Sequence, residues 1–264
     1  MASRRAAALL TVLLAVLLVA AFAGLGCGSQ KAITSLDQLD GKVIAVPSGT
    51  IADQLVLSKL PKAQFKYFDT VDLCCQAVTD GKVDAAAYDQ PVLKNIAAKS
   101  DGLTVLPDMI TVDDYGFAVA LGNQELKTTI DQVVSGLKAD GTYDAMLKRW
   151  LPEKGSPGSM PAIPLTGTNG VLKFGTASVT EPFSFLDADK KVVGFDVELA
   201  TYVAQKLGKQ LEIVDMQFGE MIPALVAGQV DMIGACITIT DERSKTVLFS
   251  EPYYQGGIAA LVRK

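Results

Sequence analysis

Two series of alternating strands and helices, separated by a proline-rich segment, constrain the fold of this chain more than any other feature. In the first series, from residue 42 to residue 150, apolar β-branched stretches alternate with stretches of helical spacing. A second series of the same kind runs from residue 171 to residue 262. The elements predicted in the two series include a helix at Val71–Thr79 closed by Asp80-Gly81, a strand at Tyr115–Leu121, a strand at Val171–Thr176 and a helix at Met221–Val226 that ends at Gly228. Such alternation predicts an α/β fold, with helices covering the faces of a sheet. The 264 residues suffice for two lobes, each with its own core.

The segment between the two series has the composition of a linker. Pro152, Pro157, Pro161 and Pro164 lie among Gly, Ser and Thr residues, and no apolar periodicity is present. Proline and glycine interrupt both helices and strands. We therefore predict that residues 152–169 join two structured halves.

The two halves contain a repeated sequence pattern. Residues 77–84 (AVTDGKVD) match residues 224–231 (ALVAGQVD) in kind and spacing, because in each a helix is stopped by Gly and a strand opens with Val-Asp. Two lobes built on one plan are therefore expected. Ligands of open α/β sheets bind beyond the carboxyl ends of strands. Those ends are Asp89 in one half and residues 236–238 in the other, so both are expected to face one cleft.

The first 26 residues have the pattern of an export signal. Arg4 and Arg5 precede an apolar run that ends in small residues before Cys27. The position of Cys27 resembles a bacterial lipoprotein box, although Leu25 lies two residues before the Cys instead of three. We predict an exported protein, held by a lipid on Cys27 at the outer face of the cytoplasmic membrane or released in the periplasm.

Charge and composition exclude several classes of function. The chain has 29 acidic and 24 basic residues, two of the latter within residues 1–26, so the exported part has a net charge of −7. This balance argues against binding of nucleic acid. The absence of His excludes His-based triads and His metal sites, and no Cys spacing indicates a metal. We expect neither metal nor cofactor, and we interpret Cys74, Cys75 and Cys236 as core thiols without a disulfide.

The stretch 230–254 contains the strongest candidate for ligand binding. Residues 230–239 read as a strand, and Thr240 is a good N-cap for a helix that contains Arg243. A guanidinium beside free helix N–H groups is a receptor for a carboxylate. The alternative interpretation of Arg243 is a solvated side chain on a helix surface.

Ordered motifs then point to a known family. The set consists of Gly175–Phe185, Val193–Leu199, Phe218–Leu225 and Ala235–Tyr254, with Leu39–Lys42, Ser48–Thr50, Gly81–Ala85, Tyr115–Gly116 and Ala139–Tyr143. Together these stretches resemble the extracytoplasmic solute-binding proteins of amino-acid ABC uptake systems, family 3. The resemblance implies a two-lobe, type II periplasmic-binding-protein fold. The order is rotated, however, because the stretches resembling the family's second half come first.

We therefore predict a circularly permuted fold that forms within one chain. Lobe one is expected to comprise residues 115–151 and 170–257, and lobe two residues 27–114 with a strand at 258–264. The crossings are expected near Tyr115-Gly116 and residues 255–257. Two alternatives remain: half-proteins that exchange parts in a swapped dimer, and a fragment of a tandem array.

The resemblance also implies roles for individual residues. Arg243 would bind the ligand carboxylate with help from the Thr238 hydroxyl, and Asp89 would bind the ammonium group from the other lobe. The remaining expected contacts are the Cys236 backbone, Thr50, the Phe218 ring, and Ala177 and Thr180 in the side-chain pocket. Alternative roles are an N-cap for Asp89, a turn for Thr50, a strand residue for Thr238 and core packing for Phe218. Ala177 and Thr180 depart from the family pattern, which disfavours a basic ligand.

The expected function is capture of a small amino acid or similar zwitterion and its delivery to an ABC permease. No catalytic residue is expected. The alternatives are a dehydratase-like enzyme on the same fold and a ligand-sensing receptor.

Overall fold

The computed structural model describes residues 32–152 and 155–264, and residues Ile33–Lys264 form one compact unit. The predicted signal segment and Cys27 lie outside the described residues. After a 3₁₀ turn at Leu36–Leu39, the first series consists of β1 (Val43–Pro47), α1 (Ala52–Leu57), β2 (Gln64–Phe68), α2 (Val71–Thr79), β3 (Ala85–Asp89), α3 (Gln90–Ala98), β4 (Leu103–Val105), β5 (Asp113–Tyr115), β6 (Ala118–Ala120), α4 (Gln124–Ala139) and α5 (Thr142–Trp150).

The second series follows the proline-rich segment. It consists of β7 (Val171–Thr176), β8 (Val179–Thr180), β9 (Ser184–Leu186), β10 (Val192–Val193), α6 (Phe195–Leu207), β11 (Gln210–Asp215), a 3₁₀ turn at Phe218–Glu220, α7 (Met221–Val226), β12 (Met232–Ile233), α8 (Asp241–Ser244), β13 (Val247–Phe249), β14 (Tyr254–Gly256) and β15 (Ile258–Arg263). None of the helices in the described part of the chain is long and apolar enough to cross a bilayer.

Two five-stranded sheets share one plan. Their orders are β2-β1-β3-β15-β4 and β11-β7-β12-β6-β13. In each sheet the first three strands are parallel and the fourth is antiparallel to its neighbours. That fourth strand comes from the other series, since β15 joins the sheet of the first series and β6 joins the sheet of the second. Each sheet is therefore completed by a strand from the other half of the sequence.

The Asp residues of the repeated pattern have the same role in both sheets. Asp84 Oδ2 accepts a hydrogen bond from the N–H of Val43 at 3.0 Å, and Asp231 Oδ2 accepts one from Lys173 at 2.7 Å. In each case the carboxylate satisfies the backbone of the neighbouring parallel strand. The repeated Asp residues thus stabilise sheet pairing.

The chain passes between the sheets twice, side by side. β5 leads from the sheet of the first series towards β6, and β14 leads back to β15. The two pair as an antiparallel ribbon with Tyr115 opposite Tyr254. The sequence predicted a single strand at 115–121, which is wrong, because the chain changes sheets at Gly116. A Cβ at Gly116 would lie 2.9 Å from the Ile239 side chain.

The proline-rich segment packs against helices α5 and α6. Its described residues, 155–169, form no helix or strand. The N–H of Gly158 donates to the carbonyl of Arg149 at 2.7 Å, and the Asn169 side chain donates to the carbonyl of Leu207 at 2.8 Å. Met160 and Leu165 pack against the main hydrophobic core. The segment is thus bonded to the fold near both of its ends.

A buried ion pair fastens the end of the first series to the second. Both oxygens of Glu198 in α6 lie within 2.8 Å of Arg149 Nη1, and the Trp150 indole N–H also donates to this carboxylate. The Glu198 side chain is fully buried, whereas that of Arg149 is 27% exposed. Because Arg149 and Trp150 donate hydrogen bonds to its carboxylate, Glu198 is stable when buried next to an aromatic core.

Candidate functional site

Arg243 lies on α8 with its side chain held from two sides. The Thr240 hydroxyl caps the helix by accepting the N–H of Arg243 at 3.2 Å, as the sequence predicted. The guanidinium Nη1 donates to the Thr238 carbonyl at 2.9 Å, and the Cζ atom lies 5.7 Å from the centroid of the Phe218 ring. A guanidinium over an aromatic face is held by a cation–π interaction. This arrangement fixes the cation without an ion pair to a described residue.

One detail of the expected carboxylate receptor is different in the structure. Helix α8 has only four residues, and the N–H of Arg243 is already used by its cap. Thr238 contacts Arg243 through its main-chain carbonyl, and the predicted contact of its hydroxyl with the ligand stays a prediction.

Asp89 ends β3 and is almost completely buried. Its Oδ1 accepts a hydrogen bond from the Tyr115 hydroxyl, and the Cys236 thiol lies 3.8 Å from its Oδ2. Asp89 occupies the N-cap position of α3 but makes no capping hydrogen bond with its side chain. Both oxygens point instead towards residues of the other series or of the ribbon. The alternative role as an N-cap is therefore not realised by the carboxylate.

Burial sets the protonation of this carboxyl. The pKa of Asp89 is raised to about 7, mainly by burial and to a lesser extent by the nearby carboxylate of Asp113, while the Tyr115 hydrogen bond and the Arg243 charge oppose the shift. Burial also lowers the pKa of Arg243, and the charge of Asp89 acts in the opposite direction. Each group therefore influences the titration of the other, as expected for opposite charges that are close together.

Cys236 adopts an unusual backbone conformation between these two charges. Its φ angle is +48°, in the left-handed region that non-glycine residues rarely adopt. Its N–H donates to Asp196 Oδ2 at 2.9 Å. Asp196 is fully buried at the start of α6, and burial raises the pKa of its carboxyl to about 7. The expected strand 230–239 is accordingly wrong beyond Ile233, where the chain turns away from the sheet.

Two adjoining cavities lie beside Arg243 and Phe218. One, of about 140 Å³, is lined by Arg243, Phe218 and Ile237 among others. The other, of about 390 Å³, is lined by Thr50, Tyr88 and Phe218 among others. Gly49 and Gly219 line both cavities. A Cβ at Gly49 would lie 2.9 Å from Gly219 Cα, so the two series touch here backbone to backbone.

The structure brings together some of the predicted site residues and separates others. Arg243, Phe218 and Thr50 line the cavities, whereas Asp89, Cys236 and Thr238 are buried and line neither of them.

The Thr50 hydroxyl donates to the Pro47 carbonyl at 2.9 Å and accepts the N–H of Ala52, so its turn role is present. Ala177 and Thr180 are at most 1% exposed, and the Thr180 hydroxyl bonds to the carbonyls of Ala177 and Ser184. These two residues do not line either cavity, and their ligand roles stay predictions.

Sequence reasoning missed Tyr115 and Asp196 as parts of the site. The Tyr115 hydroxyl donates to Asp89 and accepts the N–H of Gly257 at 3.1 Å, which ties the carboxylate to the ribbon. Both residues belong to motifs that were noted only for their resemblance to the family. Their contacts connect distant parts of the sequence, so spacing alone gave no signal for their roles.

An exposed ion pair also joins the two series. Lys99, after α3, lies 2.6 Å from Glu181 and forms an ion pair with it. The Lys99 side chain is half exposed, so the pair contributes at most about 1 kcal/mol. Among the residues described here, no cluster of three or more Cys, Asp or Glu side chains offers a metal site.

Comparison with known proteins finds a match in the second series. The sequence model of bacterial extracellular solute-binding proteins, family 3, matches residues 172–264. The matched segment includes Arg243, Phe218, Cys236 and Asp196.

Individual relatives match over a similar length. A probable histidine-binding protein of Campylobacter jejuni is 42% identical over 87 residues, which cover 33% of this chain and 34% of the relative. The arginine-binding extracellular protein ArtP of Bacillus subtilis is 45% identical over 83 residues, covering 31% and 32%. The chain thus spans about one third of the length of these curated relatives.

Among solved structures, the arginine-bound form of domain 1 from TmArgBP is 43% identical. The match covers 39% of this chain and 87% of that domain, with a TM-score of 0.33.

Proposed function

We propose that this protein binds an amino acid between its two lobes and delivers it to an ABC permease. The observation that carries the proposal is that Arg243 and Asp89, opposite charges from different halves of the sequence, lie close together without forming an ion pair. Arg243 donates to the Thr238 carbonyl, and the Asp89 carboxylate contacts the thiol of Cys236, two residues earlier in the chain. Each charge also shifts the pKa of the other group. A zwitterion needs one anion receptor and one cation receptor. Placing one on each lobe makes closure depend on the ligand.

Each proposed ligand contact follows from the position of the side chain in the structure. Arg243 lines a cavity and binds the ligand carboxylate, and Phe218 packs against the ligand side chain. Asp89 receives the ammonium group, with the Cys236 thiol beside it and the Thr238 carbonyl bonded to Arg243 nearby. Thr50 contributes polar contacts from the facing lobe. The names of the relatives, which specify arginine and histidine, support an amino acid as the ligand class.

We further propose that the chain is a monomeric circular permutant, exported by residues 1–26 and anchored by a lipid on Cys27. The shared strand plan of the two sheets and the docked segment 155–169 support closure within one chain. Export and lipidation are supported by the sequence pattern alone.

A thermal-melt panel of the twenty amino acids tests the binding function. A ligand at one hundred times its dissociation constant is expected to stabilise the protein by about 2.7 kcal/mol. Arg243→Ala is expected to abolish the shift in melting temperature, because it removes the carboxylate receptor. Lys245→Ala is the matched control, since it removes an exposed positive charge that lies just after the same helix. A shift that persists in Arg243→Ala would show that the ligand binds elsewhere.

A further inference from the structure

The side chain of Cys236 lies at the point where the proposed ligand ammonium would meet Asp89. Its Sγ is 3.8 Å from Asp89 Oδ2, and the residue is 2% exposed. The other oxygen of the carboxylate is taken by Tyr115, which is completely buried and also accepts the N–H of Gly257. A ligand cation that contacts Oδ2 of Asp89 therefore competes with the thiol for this oxygen.

The backbone at Cys236 is held in place although it disfavours a side chain. The left-handed φ of +48° suits glycine better than a residue with a Cβ. The hydrogen bond from its N–H to the fully buried Asp196 maintains this conformation. The main chain and the Cβ of Cys236 are thus fixed by the fold, so the thiol can leave Asp89 only by rotation of the side chain.

The chemistry of the two donors determines the outcome of this competition. A thiol is a weak hydrogen-bond donor, whereas an ammonium group forms short, charge-assisted bonds to a carboxylate. An unsubstituted ammonium group is therefore able to replace the thiol at Asp89. A methyl group on the nitrogen would compete with the Cys236 side chain for the same buried space.

We propose that Cys236 is a specificity-determining residue that restricts the ligand to amino acids with a primary α-ammonium group. The inference rests on the proposed function and defines its substrate class more narrowly. Replacement by glycine removes the displaced group and suits the backbone, so Cys236→Gly binds amino acids more tightly and accepts N-methyl amino acids.

Isothermal titration calorimetry with matched ligands tests the proposal. The probes are L-alanine and L-arginine, each with its Nα-methyl derivative and its desamino counterpart, propionate or 5-guanidinopentanoate. Whichever of L-alanine and L-arginine binds the wild type more tightly is expected to bind Cys236→Gly about five- to tenfold more tightly still. This gain corresponds to the free energy of one hydrogen bond, because the bond between the thiol and Asp89 no longer has to be broken. The gain should be absent for the desamino acid. The affinity penalty for Nα-methylation should decrease in the same variant.

Two further variants make the result specific. Cys236→Ala keeps the Cβ but removes the sulfur, and an intermediate gain is expected. Cys75→Ala, at a buried thiol of helix α2 in the other series, serves as the control and should bind as the wild type does.

Three results would overturn the proposal. An equal gain for the amino acid and its desamino counterpart, or no change in Cys236→Gly while the wild type binds amino acids, would refute the role of Cys236 alone. Failure of every probe to bind both the wild type and Cys236→Gly would instead contradict the ligand class and this inference together.

Discussion

Amino-acid binding should release a proton below pH 7, because Asp89 is protonated in the free protein. Burial raises the pKa of this carboxyl to about 7. An ammonium group binds the ionised carboxylate, so a ligand must either find that form or expel its proton. The affinity is therefore expected to increase as the pH rises through 7 and to become constant above about pH 8.

The size of the effect follows from the pKa. With a value of about 7, the carboxyl is roughly 90% protonated at pH 6 and half protonated at pH 7. Ionising it before binding costs about 1.4 kcal/mol at pH 6, which corresponds to an approximately tenfold weaker affinity. Close to one proton per ligand should be released at pH 6. This release should disappear above about pH 8.

Calorimetric titrations in buffers of different ionisation enthalpy measure both quantities. Asp89→Asn removes the titrating group and should abolish the pH dependence as well as most of the affinity. Asp189→Asn, which changes an exposed carboxylate, serves as the control. An affinity that is constant from pH 5 to pH 7.5, without proton release, would refute a role for Asp89 in binding the ammonium group.

Two further predictions concern the fold. Glu198→Ala should lower the free energy of unfolding by roughly 3 kcal/mol in urea, because it leaves the Trp150 indole N–H buried without its acceptor and Arg149 without its counter-ion. The exposed Glu212→Ala is the control, and a loss below about 1 kcal/mol would show that the ion pair does not fasten the two series. Light scattering of the protein without residues 1–26 should give the mass of one chain, because both sheets are completed within a single chain. A mass of two chains would favour the swapped dimer.

Elements with strong local signals were predicted correctly. The helix Val71–Thr79 has the predicted ends because the Thr70 side chain caps its start and the chain turns at Asp80-Gly81. The helix Met221–Val226 and the strand Val171–Thr176 were likewise predicted with the observed bounds. Capping residues, glycines and apolar runs act within a few positions of the sequence, so their effect is readable without the fold.

Elements whose conformation depends on distant partners were predicted less well. The break at Gly116 arises because the chain leaves one sheet there and enters another, and apolar periodicity does not report which sheet a strand joins. Similarly, residues 234–239 are apolar enough for a strand, but Asp196, forty positions away, binds the backbone of Cys236 and holds it in a left-handed turn. The apolar character of these two stretches was predicted correctly, but the continuous strand predicted for each of them was wrong.

The sequence by itself determined the α/β class, the division into two series and the chemical types at the candidate site, because periodicity, caps and charged motifs are local properties. Only the tertiary structure decided that each sheet borrows a strand from the other series and that Tyr115 and Cys236 occupy the two oxygens of Asp89. Those contacts join residues 26 and 147 positions apart. The physical reason is that burial raises the pKa of Asp89 and sets the accessibility of its carboxylate, and burial is a property of the packed chain.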